Sequence, residues 1–148
     1  MDDLDISVYS DETELIKVTV EDTLQFVRDT LEAKGFCHLS LTGGTVGIAI
    51  AVKLGEIFNS GEWKGLHIWF SDERFTPLDD AERTDSKLIA GFQKCATAKE
   101  LTINFHRVAS PVDMSLESAA DLYSKDLDES VGPDHFDAVL LSMGEDGH

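Results

Sequence analysis

The chain is poor in cysteine. It carries two among 148 residues, Cys37 and Cys95, and they form neither a CxxC pair nor a metal-ligand spacing. Free, buried thiols in a reducing cytoplasm are the expectation, and no metal site is expected, since no two-His or Cys/His spacing occurs either. Long apolar runs are also missing. None approaches the roughly 18 consecutive residues of a membrane-spanning helix, so no membrane partner is expected. The N-terminal MDDLDISVYS has no basic leader ahead of an apolar core, so no secretory signal is expected. Basic residues are scarce: 12 against 29 acids, a formal net charge of -17. Without a basic footprint, neither nucleic acid nor an anionic membrane surface is an expected partner. A small anionic substrate is still compatible with this charge. Screening confines distant charges to roughly 8–10 Å, and a local cluster of donors can hold a phosphate on an acidic protein.

What is present is an alternation of strand and helix patterns in a chain long enough for one α/β domain, residues 1–148. ISVYS (6–10) reads as a short strand. Asp11 is positioned to cap the helix that follows, with Glu14 as its reaching partner. Val20, Leu24, Val27 and Leu31 recur at helical spacing, and Gly35 ends that helix. FCHLSLT (36–42), LHIWFS (66–71), LTINFHRV (101–108) and FDAVLLSM (136–143) read as further strands. Helical faces lie between them at Val46 to Ile57, Leu88 to Phe92 and Leu116 to Leu127. The pattern predicts a doubly wound, mostly parallel sheet with helices on both faces, joined by right-handed crossovers. Open sheets of this kind bind ligands at their carboxyl edge, where three loops should meet.

The first loop, LTGGTVG (41–47), offers Gly43, Gly44 and Thr45 at the start of a helix. Glycines permit close backbone approach, and a helix N-terminus favours an anion. A plain strand-to-helix turn fits the dipeptide equally well, and the loop is neither a Walker A motif nor a full GxGxxG. The second, FSDERFTP (70–77), sets Asp72, Glu73 and Arg74 side by side. Arg74 brings a planar fork suited to an oxyanion or phosphate, and Asp72 could hold Arg74, a histidine or a sugar hydroxyl. A solvated charged turn is the alternative. The third, MGEDGH (143–148), ends on His148, a candidate general base, with Asp146 placed to orient it. A turn carrying a solvated histidine is again the alternative. His38, His67, His106 and His135 read as structural or surface residues, and Asp79 and Asp80 as a solvated acidic turn.

Taken together, LTGGTV, FSDERFTPLDDAERTDS and FDAVLLSMGEDGH resemble, in order and approximate spacing, the 6-phosphogluconolactonase family, within the glucosamine-6-phosphate isomerase/6-phosphogluconolactonase superfamily. The first segment keeps the family's glycines and a hydroxyl but lacks its proline. The resemblance implies a Rossmann-like fold of the deaminase/lactonase type and hydrolysis of 6-phosphoglucono-δ-lactone in the oxidative pentose phosphate pathway, with no cofactor. It assigns His148 as general base and Asp146 as its acidic neighbour. Gly43, Gly44, Thr45, Asp72 and Arg74 become substrate-binding residues, and the expected partner is a phosphorylated sugar lactone. Family members run on past the histidine and add basic residues there, so the expectation is the N-terminal portion of a longer lactonase domain, with the C-terminal part missing. Glucosamine-6-phosphate deaminase shares the Asp-Gly-His loop but has Asp-Glu-Tyr where this chain has Asp72-Glu73-Arg74. A non-catalytic sugar-phosphate-binding module is the third reading.

Overall fold

The short apolar runs become a parallel sheet because helices separate them and return the chain to the same edge each time. The structure is a computed structural model and describes residues 5–58, 63–93, 102–133, 135–145 and 147. The elements run α1 (Glu12–Lys34), β1 (Cys37–Leu41), α2 (Gly44–Phe58), β2 (Leu66–Phe70), α3 (Thr84–Gln93), β3 (Asn104–Phe105), α4 (Leu116–Ser130) and β4 (Ala138–Val139). The strand order is β3-β2-β1-β4. β1 runs parallel to β2 with Leu39 opposite Ile68, and parallel to β4 with Leu39 opposite Ala138. β2 pairs with β3 through Ile68 and Phe105.

Residues 6–10, expected as a strand, form none. Ile6 and Val8 are 75% and 91% exposed, and a strand exists only where a neighbour completes its ladder. Asp11 does cap α1, accepting the Glu14 N–H at 2.9 Å. The Glu14 carboxylate reaches one residue further back than expected, to the N–H and hydroxyl of Ser10. β3 and β4 are much shorter than their apolar runs. At the Phe70 rung, past the end of β3, a side chain stands in for the second neighbour: the Tyr123 hydroxyl accepts the Phe70 N–H and donates to the Phe70 carbonyl, both at 3.2 Å.

The two-residue period of the strands sorts the sheet into unlike faces. Cys37, Leu39 and Leu41 of β1 and Leu66, Ile68 and Phe70 of β2 enter one apolar core with Val20, Leu24 and Val27 of α1, Ile50 and Leu54 of α2, and Leu88 of α3. Each fully buried Leu or Ile contributes roughly 1.5–3 kcal/mol. Burial lifts the Cys37 thiol to about 12, so it stays protonated.

The opposite face carries His38, Ser40, His67 and Trp69, with α4 over it. Asp126 of α4 accepts from His106 Nδ1 at 2.7 Å, which leaves His106 Nε2 to accept from His67 Nδ1 at 2.9 Å. Trp69 stacks on His106 at 3.6 Å and donates its indole N–H to His38. Burial, followed by the neighbouring His38 and His106, pushes the His67 pKa down to about 4, against the pull of Asp126. An unfolded histidine titrates near 6.5. Between these values the unfolded chain binds the proton more readily, so the contribution of neutral His67 is complete above about 6.5 and is lost as pH falls toward 4. The melting temperature should therefore fall between pH 7 and pH 5. His67→Gln should flatten that slope in a series of thermal melts, and an unchanged slope would remove His67 from the account.

Candidate functional site

Thr42 and Gly43 carry the chain from β1 into α2 at the carboxyl edge of the sheet. Gly44 has φ +75°, a left-handed conformation that costs residues with a Cβ roughly 1–2 kcal/mol. Gly47 answers a different constraint. A Cβ there would stand 2.7 Å from the Thr42 carbonyl oxygen, so only glycine lets the first turn of α2 lie against the strand end. The result is a helix N-terminus whose first N–H groups lack intrahelical partners, with no acidic residue in its first turn. This is a setting for an anion. Gly47→Ala should cost about 1–3 kcal/mol by overpacking, read as a lower midpoint in urea unfolding.

On one side of this turn lies the segment after β4. Ser142 Oγ donates to the Gly43 carbonyl at 3.3 Å and sits 3.4 Å from Thr42 Oγ1. A Cβ on Gly44 would come within 3.3 Å of the same hydroxyl. A cleft of about 430 Å³ opens there, lined by Thr42, Gly44, Thr45, Ser142 and Gly144 over an apolar floor that includes Ile50 and Leu140. Asp146 and His148 lie outside the described residues.

On the other side lies the loop after β2. The Ser71 N–H donates to the Leu41 carbonyl at 2.8 Å and ties the loop to β1. Asp72 follows, exposed, with Oδ1 3.7 Å from the point a Gly43 Cβ would occupy. Arg74 is exposed, and among the described residues its guanidinium makes no hydrogen bond or ion pair. The two do not pair with each other, and neither lines the cleft on the β4 side.

Glu73, between them, is not a solvated charge. Its carboxylate caps α3, accepting the N–H groups of Thr84 (2.9 Å) and Asp85 (2.8 Å) and that of Arg74 (2.8 Å). An acid at a helix start is favoured by the dipole and by the free N–H groups there. Arg83 is wholly buried, and a buried guanidinium must satisfy every donor. Nε and Nη2 grip the Asp85 carboxylate at 2.9 and 2.8 Å. Nη1 donates to the carbonyls of Arg74 and Thr76, and Nη2 to that of Val108. Arg107 adds a third bond to Asp85 at 2.7 Å. Burial works against ionisation of Asp85, but the hydrogen bonds from Arg83 and Arg107 prevail and hold it at about 2. Asp85→Ala leaves the guanidinium buried and uncompensated and should cost about 3–5 kcal/mol, measurable by urea unfolding at neutral pH.

The structure thus brings Gly43, Gly44 and Thr45 to one rim with Asp72 on one flank and Ser142 on the other. It does not bring the Arg74 guanidinium into contact with them. Sequence reasoning named Glu73 only as part of a charged turn, and it missed Arg83, Thr84, Asp85, Ser142 and the packing role of Gly47. A glutamate ten residues ahead of Arg83-Thr84-Asp85 was the only legible signal for the clamp, and a surface turn has the same composition. Among the described residues, no three His, Cys, Asp or Glu side chains gather as a metal site requires.

Comparison with known proteins bears on this arrangement. Residues 10–148 match the family described as glucosamine-6-phosphate isomerases/6-phosphogluconolactonase. The chain is 29% identical over 153 residues to a 6-phosphogluconolactonase of Mycobacterium tuberculosis, covering 97% of this chain and 60% of that protein. It is 28% identical over 149 residues to the human GDH/6PGL endoplasmic bifunctional protein, covering 93% of this chain and 19% of that one. The crystal structure of a 6-phosphogluconolactonase from Thermotoga maritima superposes with a TM-score of 0.71 at 26% identity, over 90% of this chain and 57% of that one. The chain therefore spans less than two thirds of the relatives it matches.

Proposed function

The chain belongs to the glucosamine-6-phosphate isomerase/6-phosphogluconolactonase family, and on that premise we propose that the protein hydrolyses 6-phosphoglucono-δ-lactone to 6-phosphogluconate. The observation that carries the reading is the common rim. A Cβ built on Gly43 would stand 3.7 Å from Asp72 Oδ1, and one on Gly44 3.3 Å from Ser142 Oγ, so three loops distant in sequence meet at the diglycine turn, with the cleft on its β4 side. In the proposed roles, the substrate phosphate lies at the N-terminus of α2, near Gly44 and Thr45. The Arg74 guanidinium, uncommitted among the described residues, supplies a cation for the phosphate or for the developing oxyanion. Asp72 accepts from a sugar hydroxyl.

By family resemblance His148 takes a proton from water as the water oxygen bonds to the lactone carbonyl carbon. The ring C–O bond then breaks, and the departing ring oxygen receives a proton. Asp146 orients the imidazole. Residues 1–148 read as the N-terminal portion of a longer lactonase domain, consistent with the 57–60% of the relatives' length that they span. We place the protein in the cytoplasm. Two cysteines suit a reducing compartment, and no described helix is long and apolar enough to cross a membrane.

The full-length protein should accelerate lactone hydrolysis above the spontaneous rate and release no ammonia from glucosamine 6-phosphate. His148→Ala should lower kcat by about 10²–10⁴-fold while the fold is kept. Ammonia release in place of acid release would assign the deaminase reaction. Ligand binding with no turnover by the wild type would leave a binding module.

A further inference from the structure

One polar group beside the diglycine turn has no partner. Thr84, the first residue of α3, is only 7% exposed. Glu73 takes its N–H, but among the described residues its hydroxyl makes no hydrogen bond. Among the described residues, the fully enclosed side-chain atoms without a partner are Trp63 Nε1 and Thr76 Oγ1, so the Thr84 oxygen keeps a path to solvent and can meet a ligand. Its surroundings give a direction. Thr84 Oγ1 lies 3.6 Å from the point a Gly43 Cβ would occupy, and Asp72 Oδ1 lies 3.7 Å from the same point. The two oxygens flank the space that the missing side chain of Gly43 leaves open. Glu73 fixes the Thr84 backbone, and Arg83 fixes Asp85 on one side and the Arg74 carbonyl on the other, while Asp72 Oδ1 accepts from the Ser71 hydroxyl at 3.3 Å. The Thr84 hydroxyl is thus placed by bonds it does not itself make and is ready for a ligand at little ordering cost.

We propose that Thr84 is a substrate-positioning residue, whose hydroxyl donates to the oxygen of a sugar hydroxyl over Gly43 while that sugar hydroxyl donates its hydrogen to Asp72. A carboxylate that only accepts and a threonine that can donate suit a hydroxyl, which does both. A phosphate oxygen would be repelled by Asp72, so this flank takes the polyol part of the ligand. The inference rests on the sugar-phosphate lactone reading of the site and names a recognition contact within it.

The test compares Thr84→Val, which keeps the shape and removes the hydroxyl, with Thr84→Ser, which restores the hydroxyl. In the full-length protein Thr84→Val should raise KM by roughly 2- to 12-fold, the span of one neutral hydrogen bond, and leave kcat nearly unchanged. Thr84→Ser should recover most of the loss. Calorimetric binding of 6-phosphogluconate, the product, should weaken in parallel without any turnover. A wild type that binds this product but does not hydrolyse the lactone would end the lactonase reading and leave Thr84 to be judged by affinity. Equal KM and equal affinity in wild type and Thr84→Val overturn the inference, as does a serine variant no better than valine. Failure of the wild type to bind overturns both. If Thr84→Val does not fold, Gly43→Ala fills the same space from the other side. Gly43 is not at positive φ, and its added methyl meets both oxygens at ordinary contact distance. That variant should fold and bind 6-phosphogluconate more weakly, and undiminished affinity would overturn the proposal.

Discussion

The guanidinium of Arg83 is the constraint on which the crevice depends. It cannot shed its charge and it has no solvent, so all five of its N–H donors need acceptors. They find them in a carboxylate of α3, two carbonyls of the loop after β2 and one carbonyl beyond β3. Moving any of these parts strands a buried charge. The polar loop between Ser71 and Arg83 is therefore set by hydrogen-bond satisfaction, whereas apolar packing sets the sheet below it. The low pKa of Asp85 belongs to the same balance.

The apolar strands and helical faces were legible because one period governs each: two residues across Cys37–Leu41 and Leu66–Phe70, and three to four along Val20, Leu24 and Val27. Parallel alternation followed from the helices between the strands. Strand length was not legible. LTINFHRV and FDAVLLSM have the composition of full strands, yet only Asn104–Phe105 and Ala138–Val139 pair, because pairing needs a neighbour as well as a propensity. ISVYS failed for the same reason. In the site, the placement of the diglycine turn and Asp72 was legible because both follow strands whose carboxyl ends lie at one edge of a parallel sheet. Arg83, Glu73 and Thr84 were not. Their roles come from contacts across the fold, and a solvated turn would show the same letters.

The two faces of the sheet divide the work. One is sealed by α1, α2 and α3 and holds no charge. The other is a polar and aromatic layer in which Asp126, His106, His67 and Asn104 hand hydrogen bonds along a line. That layer holds His67, whose protonation burial opposes, while the loop at the carboxyl edge is tied by Arg83 to Asp85, whose carboxyl the neighbouring guanidinium groups keep ionised. Acid should thus loosen the α4 side before it disturbs the turn at Gly43.

The Tyr123 hydroxyl at Phe70 has a further consequence. By answering both the donor and the acceptor of that residue, it terminates the hydrogen-bonding row of β2 just below the crevice. A stray extended peptide arriving there finds nothing left to zip onto. That end of β2 is thereby closed to strand addition.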